Sequence, residues 1–145
     1  MTIEQDTVRD LLWQLAFQFK VRCHQAVRES GLDLGGMHVR MLQVIDEEPQ
    51  CTANRLCQRS GRDKAQITRL VKELERQGLV KRSPHPTDGR SQVLQLTGRA
   101  KRLVGRVREV EQDVERQYVE GLSERELAAF VATGRKMLDN VSEVD

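Results

Sequence analysis

The sequence predicts a mainly α-helical fold carrying one small two-stranded β hairpin, in the order α-α-α-α-β-β-α-α. Three observations lead there. Apolar residues recur at spacings of three and four through most of the chain, the period of a helix with one buried face. A single turn-rich stretch, PHPTDGRSQV at 84–93, parts the apolar pair Leu79-Val80 from the alternating run 93–96. There is no internal repeat, no low-complexity segment and no linker longer than a turn. The 145 residues suit a single domain, 1–145, or one domain with an oligomerisation element.

Taken in order, residues 7–30 form the first expected helix, with Leu11, Leu12, Leu15, Phe19 and Cys23 on its stripe and Gly31 as its stop. Trp13 and Phe17 fall off that stripe, so the helix carries apolar groups on more than one side. The second helix covers 36–47 with Val39, Leu42 and Ile45 on one face. It begins at Gly35-Gly36, without a Ser or Thr cap. A short third helix, 53–60, is anchored by Leu56 and Cys57 and capped by Thr52. Gly61 separates it from a fourth, which Asp63 caps and Gly78 ends. Strands follow at 79–83 and 92–96. Thr97 opens a long helix to about 121, and the Ser123–Glu126 pair fits a capping box for the last one. That last helix carries Leu127, Phe130, Val131, Met137, Leu138 and Val141.

Hydrophobic residues make up 38% and aromatics 3%, so the core is aliphatic. No apolar run approaches the roughly 18 residues a membrane-spanning helix needs. MTIEQDTVRD has acids and no apolar signal core, so a cytoplasmic protein is expected. The net charge of +2 hides a strong asymmetry. Between Arg55 and Arg108 lie 15 Lys/Arg and 4 Asp/Glu, a block of +11, and the remainder carries −9. A basic middle between acidic ends is the footprint of a module that meets a phosphate polymer.

The fourth helix concentrates that chemistry. Ile67, Leu70, Val71 and Leu74 form its buried stripe, and Arg62, Ala65, Arg69, Lys72 and Arg76 the opposite side, flanked by Gln66 and Thr68. Arg donates two hydrogen bonds to guanine, Gln pairs with adenine, and Thr offers a methyl and a hydroxyl. Lys72 and Arg76 are better placed for phosphates, and Ala65 lets the backbone come close. A short helix, a glycine turn and this longer helix make a helix-turn-helix; the hairpin after it makes the unit winged. A solvated face would mix charge signs more evenly than this one does.

Residues 63–101 (DKAQITRLVKELERQGLVKRSPHPTDGRSQVLQLTGRAK) resemble the MarR family of winged helix-turn-helix regulators. The likeness lies in the recognition helix, the Gly-Leu-Val that follows, the Asp-x-Arg of the wing and the Leu-Thr-x-x-Ala opening of the next helix. It implies a DNA-binding lobe at 36–97, a helical dimerisation region at 7–30 and 98–141, and a homodimer on a palindromic double-stranded operator. It further implies that Asp88 orients Arg90 into a minor groove, and that a repressor is released by a small phenolic or anionic effector. The wing departs from the pattern, with Asp-Gly-Arg where many relatives place a second arginine after the Asp.

Some residues remain open between readings. Trp13, Phe17, His38 and Arg40 line an effector pocket between lobes, or belong to core and surface. Cys23 is a redox-sensing thiol whose pKa Arg22 and His24 lower, or a packed side chain. Cys51 and Cys57 complete an odd set without metal-site spacing, so no metal is expected. The chain offers no nucleophile-base-acid set and no glycine-rich phosphate loop, so no catalytic residue is expected. A non-specific architectural DNA-binding protein is the alternative to a regulator.

Overall fold

The computed structural model describes residues 5–142; residues 1–4 and 143–145, the ends of the domain expected over 1–145, lie outside the described residues. The elements are α1 (Gln5–Glu29), α2 (Gly36–Glu47), α3 (Ala53–Ser60), α4 (Lys64–Arg76), β1 (Val80–Pro84), β2 (Gln92–Leu96), α5 (Gly98–Val119) and α6 (Glu124–Ser142). This is the mainly α winged helix-turn-helix order read from the sequence. The chain divides within α5, between Glu111 and Gln112, into two compact units.

The core of the first unit is aliphatic and continuous. Leu42, Leu56, Ile67, Leu74 and Leu79 are fully buried, drawn from α2, α3, α4 and the strand entry. Local signals set where each element begins and ends. Thr52 Oγ1 accepts the Arg55 amide at 3.2 Å, and Asp63 Oδ1 accepts the Gln66 amide at 2.8 Å, so both helices of the helix-turn-helix are capped as expected. Gly61, at φ 64°, makes the turn between them.

The end of α4 shifts one boundary. Gly78 takes φ 72°, its amide donates to Glu75 O, and the Leu79 amide donates to Leu74 O at 2.9 Å. That is a Schellman closure, and it uses Leu79 as the helix terminator. The strand expected from residue 79 therefore starts at Val80 and runs antiparallel to β2, with Val80 opposite Leu96 and Pro84 opposite Gln92. Leu94 donates to Cys51 O at 2.7 Å, tying β2 to the loop before α3. Thr97 joins the hairpin's return to α4: its amide donates to Leu79 O, and its hydroxyl donates to Gly78 O at 2.8 Å. The Thr97 hydroxyl also accepts the Ala100 amide, which starts α5.

As read from the sequence, α2 starts at Gly36 after Gly35, with no Ser or Thr cap. His38 Nδ1, three residues on, accepts the Gly35 amide at 3.2 Å and so satisfies the amide of the N-cap residue itself. In the second unit, Gly121 at φ 80° stops α5 at Val119, about two residues short of the expected end. Ser123 and Glu126 form the capping box, with Ser123 N–Glu126 Oε2 at 2.8 Å and Glu126 N–Ser123 Oγ at 3.2 Å. No residue of α6 is buried, and Phe130 and Leu138 are each 63% exposed.

Leu56 is the one fully buried side chain of α3, so it holds the first helix of the pair to the core. Leu56→Ala is expected to cost about 3 kcal/mol of unfolding free energy, read from urea denaturation followed by circular dichroism.

Candidate nucleic-acid interface

Of the fifteen cations in the basic block, ion pairs occupy five. Arg55 meets Glu48 at 3.2 Å, and Arg59 bridges Glu48 and Glu47 at 2.5 and 3.2 Å. Arg108 reaches Asp46 at 2.7 Å, Arg82 reaches Glu75 at 2.6 Å, and Arg106 meets Glu109 at 3.3 Å. The acids at the end of α2 thus neutralise α3 and the middle of α5. Both arginines at Glu48 hold its carboxyl below the ordinary carboxylate range through hydrogen bonds.

The other ten make no ion pair among the described residues. Arg62, Lys64, Arg69, Lys72 and Arg76 lie on α4 or just before it, Lys81 and Arg90 on the hairpin, and Arg99, Lys101 and Arg102 in the first turn of α5. Cations at a helix N-terminus oppose the helix dipole, and no acid stands in the first turn of α4 or α5. Helix stability alone does not account for that arrangement.

Lys64, Ala65, Thr68, Arg69, Lys72, Glu73 and Arg76 line one open depression of about 880 Å³ along α4. Lys64, Ala65, Arg69, Lys72 and Arg76 are exposed there, while Thr68 is half-buried. Two residues expected on this face sit elsewhere. Gln66 is half-buried outside the depression, its amide held by Asp63. Arg62 lies just before α4 and faces a different cavity.

Both acids of α4 have partners on other elements. Glu75 is held by Arg82 on β1, which fastens the hairpin to the helix. Glu73 Oε2 accepts from His38 Nε2 at 2.6 Å. Because His38 Nδ1 accepts from Gly35, the ring hydrogen sits on Nε2, the neutral tautomer that satisfies both bonds. This hydrogen bond is the main reason the Glu73 carboxyl lies below its ordinary range, and the charges of Arg69 and Arg76 add to it.

The tip of the hairpin is built by two side chains. His85 Nδ1 accepts the amides of Thr87 and Asp88, at 3.2 and 3.1 Å. Asp88 Oδ1 accepts the Arg90 amide at 3.0 Å and its Oδ2 accepts the Ser91 hydroxyl at 2.9 Å. The Ser91 amide closes the turn on Asp88 O at 3.2 Å. Asp88 therefore engages Arg90 through the backbone and leaves the guanidinium exposed. Gly89 does not use a positive φ, and a Cβ there would meet nothing within 4 Å.

A second concavity, about 660 Å³, lies within the first unit behind the helix-turn-helix. Phe19, Val27, Met37 and Val39 give it apolar walls; Lys20, His24, Arg40 and Arg62 bring cationic groups; Glu111 is held by the Gln43 amide at 3.0 Å. Of the four pocket residues weighed from sequence, Arg40 alone lines it. Trp13 and Phe17 are 67% and 50% exposed, and His38 engages Glu73. Lys20, Cys23, His24, Met37, Gln43 and Glu111 were missed, because spacing within one helix does not show which elements converge. Cys23 sits in this wall with its thiol pushed up by burial and then by Glu111. The expected lowering by Arg22 and His24 is not what sets this thiol; burial and Glu111 raise it instead. Burial likewise pushes the Cys51 thiol up to about 11.

Among the described residues no group of three or more His, Cys, Asp or Glu is placed to hold a metal, and no helix is long and apolar enough to cross a membrane.

The sequence profile of the MarR family matches residues 32–91. A transcriptional regulatory protein assigned to the hcr operon of Thauera aromatica is 26% identical over 103 residues, 71% of this chain; the match spans 62% of that protein's length. The fold of crystalline MarR superposes with a TM-score of 0.72 at 21% identity, covering 98% of this chain and 95% of that one. MepR of S. aureus, crystallised with DNA, superposes with a TM-score of 0.76 at 22% identity over 90% of this chain and 94% of its own. The MarR family profile thus matches residues 32–91, and the fold of the described chain is like that of MarR and MepR.

Proposed function

We propose that this protein is a sequence-specific, double-stranded DNA-binding transcriptional regulator, a repressor that a small amphipathic anion releases. One observation carries the DNA reading: the ten cations without ion pairs gather on α4, the hairpin and the start of α5, while both acids of α4 are held by partners on other elements, His38 and Arg82. In this reading α4 lies in the major groove with Arg69 at a base edge, supported by Ala65, Gln66 and Thr68. Lys72 and Arg76 meet phosphates, and Arg90 at the wing tip enters a minor groove, where A-tracts concentrate negative potential. That MepR, a protein of similar fold, was crystallised with DNA supports this reading. The regulator name of the Thauera relative supports the transcriptional role.

A homodimer is part of the proposal. Leu11, Leu12, Trp13 and Phe17 on α1 are exposed, as are Phe130, Val131, Leu138 and Val141 on α6. Exposed apolar side chains of that kind on each helix support association with a second copy. Two copies related by a two-fold axis match a palindromic operator with half-sites one helical turn apart. The cavity with cations around apolar walls suits an anionic or phenolic effector. The raised Cys23 thiol weighs against redox sensing through a thiolate.

Fluorescence anisotropy with the promoter DNA beside its own gene tests the proposal. Binding is expected to survive excess scrambled duplex; equal competition by scrambled DNA would favour an architectural protein. Arg69→Ala is expected to lose about 1–3 kcal/mol of discrimination between operator and scrambled sites. Arg90→Ala is expected to weaken binding and flatten any preference for A/T flanks, and an unchanged affinity would return 84–93 to a connector.

The wing turn also has a pH signature. The Arg90 amide, then the Ser91 hydroxyl, hold the Asp88 carboxyl below its ordinary value. Its contribution is therefore complete above the unfolded carboxylate pKa of about 3.9 and is lost as pH falls through the lower folded value. Hydrogen exchange at the Arg90 amide should stay protected from neutral pH into that acid range. Asp88→Ala should remove the protection at every pH.

A further inference from the structure

Glu73 is the one acid lining the basic depression of α4. It stands four residues after Arg69 and three before Arg76, positions that are neighbours on a helix surface and favour ion pairs. Yet neither arginine forms a contact ion pair with it. Its Oε2 instead accepts from His38 Nε2 at 2.6 Å, across 35 residues of sequence, in a half-buried setting. The same ring accepts the Gly35 amide on its other nitrogen, and Gly35 lines the 660 Å³ cavity. One imidazole thus has one end at the cavity wall and the other on the carboxylate beside the reading arginines.

We propose that His38 is a positioning residue for DNA recognition: it holds the Glu73 carboxylate back so that Arg69 and Arg76 stay available, and its loss lets Glu73 capture one of them. This rests on the reading of α4 as the DNA-contacting helix. The neutral Nε2–H tautomer makes the hold; without it, Glu73 has two cations within helical reach and no competing donor. The latch therefore sets how many arginines along the depression stay without an ion-pair partner.

His38→Asn separates the two bonds. The Asn carbonyl oxygen can still accept the Gly35 amide and cap α2, but the side chain is too short to reach Glu73. Anisotropy titrations with the promoter duplex would compare wild type, His38→Asn, Glu73→Gln and the double variant, after thermal unfolding has shown each to be folded. His38→Asn is expected to bind about tenfold more weakly than wild type, the scale of one lost arginine contact. In the Glu73→Gln background the same change should have almost no effect, because a neutral amide forms no ion pair with Arg69 or Arg76. Equal weakening in both backgrounds would assign His38 a structural role only and overturn the proposal, as would unchanged binding by His38→Asn.

Failure of the wild type to bind any duplex would instead sink the DNA reading. In that event the guanidinium Nε–H resonances of Arg69 and Arg76 in the free protein decide the latch. A shift and slowed exchange in His38→Asn, absent in the double variant, would support it. Identical spectra in all four proteins would overturn it.

Discussion

The left-handed turn at Gly78 is the constraint on which the basic face depends. Three hydrogen bonds meet there: Leu79 to the last turn of α4, the Thr97 hydroxyl to Gly78 O, and the Thr97 amide to Leu79 O. Together they set the direction in which the hairpin leaves α4 and returns to α5. Arg82–Glu75 then closes the remaining side. Helix, hairpin and the start of α5 are thereby joined through hydrogen bonds, and the cations on all three share one connected frame. A residue other than glycine at 78 would strain the left-handed backbone before it touched any neighbour.

Charge in this fold is sorted by topology. The acidic end of α2 occupies the arginines of α3 and one of α5, which would otherwise spread positive potential around the whole lobe. Exposed ion pairs of this kind add little to stability, with a median near 0–1 kcal/mol. Their effect is on the shape of the field: neutralised behind, uncompensated along α4 and the wing.

Much of this was legible in the sequence because it is local. Thr52, Asp63, Gly78 and the Ser123–Glu126 box act within three or four residues of themselves, so helix ends could be placed to within about two positions. The basic stripe on α4 was equally legible, since helical period alone creates it. What remained hidden is non-local. His38–Glu73 spans 35 residues, and Arg108–Asp46 and Gln43–Glu111 span more than 60. No periodicity reports such partners, which is why Arg55 and Arg59 counted as free charge and Cys23 was read beside its chain neighbours rather than beside Glu111. The Schellman closure moved β1 by one residue for a different, local reason. A backbone bond, invisible to side-chain pattern, had a prior claim on Leu79.

Gly89 at the wing tip has a consequence on the time scale of evolution. Its backbone is accessible to any residue, and the space beyond its α carbon is open. Every glycine codon becomes an arginine codon by one base change, so a second cation at the tip is a single mutational step away and carries no folding penalty. In the proposed reading, DNA affinity in such a lineage can drift up or down at position 89 independently of the core, the caps and α4. In the proposed DNA-binding reading, the wing tip is a place where affinity can change without rebuilding the protein.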